Sequence, residues 1–316
     1  MLAMEYRGPK RIRMVRKADP EIEHPNDAIV RVTRSCICGS DLHLYHGLVP
    51  DTRVGSTFGH EFCGVVEEIG SSVQNLKVGD HVLVPFNIFC GSCTFCQREL
   101  YSNCHNVNSN STAVGAIYGY SHTAGGYDGG QAERVRVPMA DVGPTKIPND
   151  IHVEDAVLLT DAYPTGYQAA EMGGIKEGDT VVVFGAGPVG IFAAKSAWLL
   201  GAGRVIVVDE IEYRLEFVRK WAPCEVVNFR EVGDVAMQIK RITDLAKIHH
   251  FTRSPLSYKF KPEFDFVHHN HPAGTQQPGR FCCEDTHWPC PKNHDRIAFF
   301  DSTHFGSLIA SGVSIR

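Results

Sequence analysis

Two short motifs near the N-terminus contain side chains that could bind a metal ion. The first reads C-G-S-D-L-H and begins at Cys38, and the second reads G-H-E and has His60 at its centre. A cysteine thiolate and a histidine imidazole are ligands that Zn²⁺ commonly takes. The alternative is a buried thiol and an unrelated histidine. We predict a metal site, because further features of the chain point to the same chemistry.

The same two motifs carry polar groups that could support such a site. Asp41 and Glu61 are carboxylates that could orient the ligands from a second layer around the metal. Ser40 and His43 supply a hydroxyl and an imidazole. These are the groups needed to carry a proton away from a metal-bound oxygen.

A third motif concentrates four cysteines in a short segment. They follow the spacing C-x₂-C-x₂-C-x₇-C, as Cys90, Cys93, Cys96 and Cys104. Four thiolates can surround one tetrahedral ion and leave no open position, which is typical of structural zinc. The alternatives are an iron–sulfur cluster and coincidence, but the bacterial ferredoxin run ends in C-x₃-C-P. We predict a structural zinc site.

The second half of the chain contains a glycine-rich turn with the spacing of a dinucleotide site. A continuous apolar run, Thr180 to Phe184, predicts a buried parallel strand, and a helix is predicted from Val189 to Leu200. The turn between them contains Gly185, Gly187, Pro188, Val189 and Gly190. Its glycines permit a tight turn, and the helix N-terminus can bind a pyrophosphate.

An acidic residue follows the next predicted strand, Val205 to Val208. Asp209 stands about where a ribose-binding carboxylate belongs, and its charge would repel a 2′-phosphate. Arg214 weakens this preference only slightly, so we predict NAD rather than NADP as the cofactor. The pattern continues with a helix from Glu212 to Trp221, a strand from Glu225 to Phe229 and a helix from Val235 to Lys247.

Composition sets broad limits on the class of protein. The chain has 316 residues, enough for two domains, and its net charge of −5 gives no reason to expect nucleic acid as a partner. We find neither a signal peptide nor an apolar run of membrane-spanning length, and therefore expect a cytoplasmic protein without a membrane partner. Eleven cysteines, four of them clustered, point to metal rather than to disulfides.

The first domain is predicted to be rich in β-structure. Apolar and polar residues alternate from Ala28 to Arg34, and strands are also expected at Phe62–Ile69, at His81–Val84 and at Glu133–Val137. Short strands interrupted by glycine and proline favour a partly closed barrel. From about His249 this regularity is lost, and only 264–267 is predicted as a further strand.

These motifs, in this order and spacing, resemble the zinc-containing medium-chain alcohol dehydrogenases. The similarity covers residues 1 to about 244 and is greatest to the NAD-dependent formaldehyde dehydrogenase-like branch. It implies an α/β protein in which a GroES-like, β-rich catalytic domain precedes a Rossmann doubly wound parallel sheet. We expect the domains at 1–155 and 156–248, followed by an atypical tail, 249–316, in place of the second half of the sheet.

The resemblance also assigns a role to each matching residue. Asp161, which alone would be taken for a helix cap or a surface carboxylate, matches the third ligand of the catalytic zinc beside Cys38 and His60. Asp41 and Glu61 match the supporting carboxylates, and Ser40 and His43 the proton relay. Thr165 matches a residue beside the nicotinamide. The four cysteines match the ligands of the structural zinc, which makes two zinc ions per chain.

The resemblance implies hydride transfer from an alcohol, or from an aldehyde hydrate such as that of formaldehyde, to NAD. The departure of the tail from the family pattern has a second consequence, since the tail lacks the dimer-forming edge of the sheet. A catalytically silent, zinc-binding truncated homologue is therefore the alternative, and a family-type homo-oligomer is not expected. We predict that the tail arises from a shifted reading frame or an unspliced segment.

Overall fold

The computed structural model describes residues 1–108 and 115–243, together with the backbone of 297–301. It forms two compact units, the first from Met1 to Pro164 and the second beginning at Thr165. Within these described ranges, no helix is long and apolar enough to cross a membrane.

The first unit consists mainly of short antiparallel strands. Its strands are β1 (Leu2–Tyr6), β2 (Ile12–Arg16), β3 (Ala28–Ser35), β4 (Phe62–Ile69), β5 (His81–Val84), β6 (Asn87–Ile88), β7 (Ala116–Ile117), β8 (Arg134–Val137) and β9 (Thr145–Lys146). Its helices are α1 (Gly39–Tyr45) and α2 (Val153–Ala156), and 3₁₀ turns lie at Cys96–Arg98, Tyr101–Asn103 and Val157–Thr160. The main sheet has the order β8-β3-β4-β5-β9.

The main sheet buries one face in an apolar core, as the alternating sequence pattern predicts. Phe62 of β4 is fully buried in this core and meets the ring of Tyr118 edge-on, with the centroids 5.3 Å apart. The predicted strands at 62–69 and 81–84 are confirmed to the residue. The β1–β2 hairpin and α1 were not predicted, because both are short and neither shows a sustained period.

The segment that leads into His60 is held by backbone packing between glycines. Gly59 has φ +98°, a backbone conformation that residues other than glycine rarely adopt. A Cβ on Gly129 would lie 2.1 Å from the carbonyl oxygen of Gly59, and one on Gly119 would lie 2.5 Å from its nitrogen. Three chain segments therefore cross at backbone distance immediately before His60, which fixes where its side chain begins.

The second unit is a parallel sheet covered by helices. Its elements are α3 (Ala162–Met172), which begins at the end of the first unit, β10 (Thr180–Phe184), α4 (Pro188–Leu199), β11 (Arg204–Asp209), α5 (Glu212–Trp221), β12 (Glu225–Asn228), α6 (Val235–Thr243) and β13 (Ile297–Asp301). Val181 packs on the side of α4 and α5, whereas Val182 packs on the side of α6. The prediction that β10 is buried on both faces is confirmed.

The strand order of this sheet is β12-β11-β10-β13, and all its pairs are parallel. The pairing of Ile297–Asp301 with β10 corrects the sequence analysis, which predicted no strand at that position. The segment lies far along the chain from the other strands, and its surroundings lack a regular period. The strand predicted at 264–267 lies outside the described residues.

Candidate functional site

Cys38, His60 and Asp161 converge in the first unit. The Nε2 atom of His60 lies 3.3 Å from Oδ2 of Asp161, and the Cys38 Sγ lies 3.8 Å from the same oxygen. One ligand atom from each residue falls within 4.8 Å of the others. The edges of a zinc tetrahedron with N, O and S ligands are about 3.3–3.8 Å long, given the usual bond lengths. The geometry is therefore suited to a single zinc ion.

Different elements bring the three residues to this point. Cys38 immediately precedes α1, and His60 follows the glycine crossing just before β4. Asp161 stands after the 3₁₀ turn Val157–Thr160, whose last carbonyl accepts a hydrogen bond from Phe86 N–H at 3.1 Å. This bond anchors the turn to the segment after β5, and so directs Asp161 into the site.

Ser40 and Asp41, both on α1, also contact the cluster. Ser40 Oγ lies 3.2 Å from His60 Nε2, within hydrogen-bond distance. Asp41 Oδ2 accepts a hydrogen bond from Cys38 N–H at 2.9 Å, and Asp41 Oδ1 lies 3.7 Å from His60 Nδ1. Both Oδ1 of Asp41 and Nδ1 of His60 are buried and have no hydrogen-bond partner within the described part of the chain.

The electrostatics of the cluster favour a bound cation. Burial raises the pKa of Asp41, and burial followed by the charge of Asp161 raises the pKa of Glu61 to about 7. For His60 burial disfavours the charged form, but hydrogen bonds with Asp161 and Cys38 outweigh it and raise its pKa well above the usual range. Three carboxyl groups, a thiol and an imidazole thus lie together in a buried place, and a dication bound there would stabilise the ionised form of the carboxyl groups.

The sequence analysis did not identify Gln131 as part of the site. Its side-chain Nε2 donates to Asp41 Oδ2 at 3.1 Å and to the carbonyl of Cys36 at 3.3 Å. A polar residue directly after Gly129 and Gly130 is the only local signal of this role. Nothing in that pattern reveals which residue it contacts, because the contact spans a large separation in the chain.

The four clustered cysteines form a second candidate metal centre. The Sγ–Sγ distances are 3.5 Å from Cys93 to Cys96, 3.9 Å from Cys93 to Cys104 and 4.0 Å from Cys90 to Cys96. These are far longer than a disulfide and close to the edge of about 3.8 Å expected for a ZnS₄ tetrahedron. The eight cysteines in the part of the chain that the structure describes are all free thiols. The donor set therefore fits zinc without an open position.

The surroundings of Cys90 stabilise its thiolate form. Its sulfur accepts hydrogen bonds from Cys93 N–H at 3.4 Å and from the Asn106 side chain at 3.3 Å, and both Ser92 N–H and Ser92 Oγ donate to it at 3.5 Å. Burial opposes ionisation, but these donors stabilise the thiolate and lower the pKa of Cys90 to about 6. Because metal ligation requires a thiolate, the loop favours binding of a metal ion.

The glycine turn of the second unit has the geometry that the sequence pattern predicts. Gly185 has φ +94°, and Gly187 precedes α4, whose first residue is Pro188. Among the residues that the structure describes, no side chain caps this helix, and a Cβ on Gly187 would meet no atom within 4 Å. The turn therefore leaves open space beside the helix N-terminus, which fits the pyrophosphate of a dinucleotide.

Asp209 connects the end of β11 to this turn. Its Oδ2 accepts a hydrogen bond from Ala186 N–H at 2.6 Å, and its Oδ1 accepts bonds from the N–H groups of Glu210 and Ile211. A carboxylate has about four acceptor positions, so capacity remains for a ribose hydroxyl. Arg214 is half-exposed and lies 3.9 Å from Asp209 Oδ2, where it partly compensates the charge.

The other residues that the sequence analysis assigned to the site lie on α1, α3 and α4. His43 lies half-buried on α1, one helical turn after Ser40. Thr165 is buried near the start of α3, whose next residue, Gly166, packs against the backbone of α4. Val189 and Gly190 form the first turn of α4, and Gly190 is buried.

Comparisons with known proteins agree with this description. The family model "Alcohol dehydrogenase GroES-like domain" matches residues 24–149. A zinc-type alcohol dehydrogenase-like protein of Bacillus subtilis is 46% identical over 245 residues, which cover 77% of this chain and 65% of that protein. A glutathione-independent formaldehyde dehydrogenase of Pseudomonas aeruginosa is 41% identical over 225 residues, covering 68% of this chain and 55% of that protein.

A solved alcohol dehydrogenase structure is similar to this chain in fold. The alcohol dehydrogenase TADH from Thermus sp. ATN1 superposes with a TM-score of 0.71 at 37% identity, covering 77% of this chain and 67% of that one. The chain spans only 55–65% of the length of the two curated relatives described above. The shared domain, the level of identity and the common fold lead to one conclusion: the chain belongs to the zinc-type, medium-chain alcohol dehydrogenase family.

Proposed function

We propose that the protein is a zinc-dependent oxidoreductase that transfers a hydride from an alcohol, or from an aldehyde hydrate such as that of formaldehyde, to NAD. The observation that carries the proposal is the convergence of Cys38, His60 and Asp161 on one point. The formaldehyde dehydrogenase and the alcohol dehydrogenase among the similar proteins support the substrate class.

Two zinc ions per chain form part of the proposal, and each has a different ligand set. The three-residue site would leave a fourth position for a substrate, as catalytic zinc sites do, whereas the four cysteines would enclose a structural ion. When bound at the three-residue site, zinc would act as a Lewis acid that lowers the pKa of a hydroxyl group. The residues around it would orient the substrate and remove its proton.

Ser40 is the proposed first acceptor of that proton. The Ser40 Oγ atom lies 3.2 Å from His60 Nε2, the proposed ligand atom. A hydroxyl group can accept one hydrogen bond while it donates another, so it can pass a proton on. His43, on the same helix, is half-buried and can release the proton to water. Glu61, next to the proposed ligand His60, is buried and supplies a further carboxyl group beside the site.

In the second unit, the open glycine turn at Gly187 and the N-terminus of α4 would bind the pyrophosphate of NAD. Asp209 would accept a hydrogen bond from a ribose hydroxyl, and Thr165 would lie beside the nicotinamide. The carboxylate of Asp209 would repel the 2′-phosphate of NADP, so NAD is the proposed cofactor.

The test is NADH formation by the purified chain, followed by its absorbance, with formaldehyde and simple primary alcohols. We expect Cys38→Ser to abolish turnover and to leave the dissociation constant of NAD within a few-fold of the original value. Equal loss of turnover and NAD binding would mean that Cys38 mainly maintains the fold. Two bound zinc ions without any turnover would instead favour a silent zinc-binding homologue.

A further inference from the structure

Gln131 lies where three segments of the first unit meet. Its backbone N–H donates to the carbonyl of Phe58 at 2.9 Å, two residues before His60. Its own carbonyl accepts a hydrogen bond from Met4 N–H of β1 at 2.8 Å. The main chain of Gln131 is therefore held in position by two neighbouring segments, so that its side chain starts from a defined place.

The side chain of Gln131 uses both amide hydrogens within the site. One Nε2–H donates to the carbonyl of Cys36 at 3.3 Å, and the other donates to Asp41 Oδ2 at 3.1 Å. Cys36 lies two residues before the ligand Cys38, and Asp41 lies three residues after it. One amide group thus joins the two sides of the turn that carries Cys38.

The contact with Asp41 also determines which oxygen faces His60. Cys38 N–H and Gln131 Nε2 both donate to Oδ2, at 2.9 Å and 3.1 Å. Rotation of the carboxylate would break both bonds, so Oδ1 remains directed towards His60 Nδ1, 3.7 Å away. A histidine that binds a metal through Nε2 carries its proton on Nδ1, and a carboxylate at that nitrogen fixes this tautomer.

We infer that Gln131 is a positioning residue for the three-residue metal site. It holds the Cys38 turn in place and aims Asp41 at His60, without contacting the metal or the substrate. This inference rests on the proposed function only in assuming that a metal binds at Cys38, His60 and Asp161. Loss of supporting contacts of this kind typically weakens metal binding 10- to 100-fold.

The test compares Gln131→Met and Gln131→Glu with the unmodified full-length chain. Methionine keeps the length of the side chain and removes both donors, whereas glutamate places a second carboxylate against buried Asp41. Gln74→Met is the matched control, because Gln74 is exposed and lies in the same unit. Each chain is dialysed against graded concentrations of free zinc, and bound zinc is counted per chain.

We expect Gln131→Met to lose one zinc ion at about 10- to 100-fold higher free zinc than the unmodified chain, and Gln131→Glu to lose it more readily still. The zinc of the four-cysteine loop should remain in all variants, which reports that the unit is folded. Cobalt introduced at the vacated site should show altered ligand-field bands in the Gln131 variants. Unchanged zinc retention and an unchanged cobalt spectrum in Gln131→Met would overturn the inference.

A double-mutant cycle separates positioning from general support of the fold. Once Asp41→Asn has removed the acceptor's charge, adding Gln131→Met should weaken zinc binding by much less than it does alone. If the losses of zinc affinity caused by Asp41→Asn and Gln131→Met are fully additive, Gln131 does not act through Asp41. In the unmodified chain, the side-chain amide NMR signal of Gln131 should shift when the site is loaded with zinc. That measurement tests the inference even when a variant fails to fold, and an unmoved signal would contradict it.

These results are distinguishable from failure of the proposed function. If the unmodified chain binds zinc at this site but forms no NADH, the proposed activity fails and the role of Gln131 stands. If the chain is active and Gln131→Met holds zinc normally, the activity stands and the role of Gln131 fails.

Discussion

Asp161 Oδ2 lies 3.3 Å from His60 Nε2, although the two residues belong to different elements and stand far apart in the chain. The glycine crossing positions one of them, and the 3₁₀ turn bonded to Phe86 positions the other. Cys38 Sγ completes the group at 3.8 Å from the same Asp161 oxygen. The candidate ligand set is thus defined by contacts between segments rather than by any one motif.

Replacement of Asp161 by alanine should remove one of the two expected zinc ions. The variant would lose one of three protein ligands, so we expect at least about 100-fold weaker binding at this site, while the four-cysteine zinc remains. Elemental analysis after dialysis measures the zinc content. Asp155→Ala, at an exposed position on α2, is the control and should keep both ions. Equal zinc content in the two variants would exclude Asp161 as a ligand.

Zinc removal from the four-cysteine loop should destabilise the first unit. Cys104 is fully buried, and its sulfur lies 3.9 Å from that of Cys93. Cys104→Ser should prevent tight binding at this loop and lower Tm by at least about 5 °C, equivalent to a few kcal/mol for a unit of this size. Calorimetry with and without added zinc is the measurement. Cys224→Ser, in the second unit, should retain the zinc, and an equal loss of zinc there would contradict the assignment.

Asp209→Asn should shift cofactor preference away from NAD. The variant keeps a side chain of the same size but removes the charge that disfavours a 2′-phosphate and weakens the bond from Ala186 N–H. We expect the ratio of NADP to NAD dissociation constants to fall about 10- to 100-fold, which corresponds to one charged hydrogen bond. Fluorescence titration with NADH and NADPH measures both constants. Glu216→Gln, exposed on α5, should leave the ratio unchanged.

Gly166→Ala should destabilise the second unit. An added Cβ would lie 2.7 Å from Ala193 N and 2.8 Å from Phe192 Cβ, so α3 and α4 would have to separate. Overpacking of this kind typically costs about 1–3 kcal/mol in the free energy of unfolding. Urea denaturation gives the value. Gly233→Ala, where the new methyl group would meet no described atom within 4 Å, should change it by no more than about 0.5 kcal/mol. Equal effects at the two positions would contradict the clash.

The strands and helices of the parallel sheet in the second unit were largely predictable from sequence. The strand at Thr180–Phe184 and the helix at Glu212–Trp221 occur as predicted, because a buried parallel strand is continuously apolar and a surface helix is amphipathic. The short helix α1 was missed, since seven residues give too little periodicity. β13 was missed because its pairing with β10 depends on chain segments distant in sequence.

By itself, the sequence determined the types of side chain available and the local conformations around them. The cysteine spacing predicts a set of metal ligands and the Gly185–Gly190 pattern predicts a tight turn before a helix, because both depend on contacts between near neighbours. Asp161 entered the ligand set only through the family resemblance. Only the tertiary structure brought it to His60, and only there did Gln131 meet Asp41. The reason is physical: directional hydrogen bonds between distant segments depend on how the chain packs, and no local pattern records that packing.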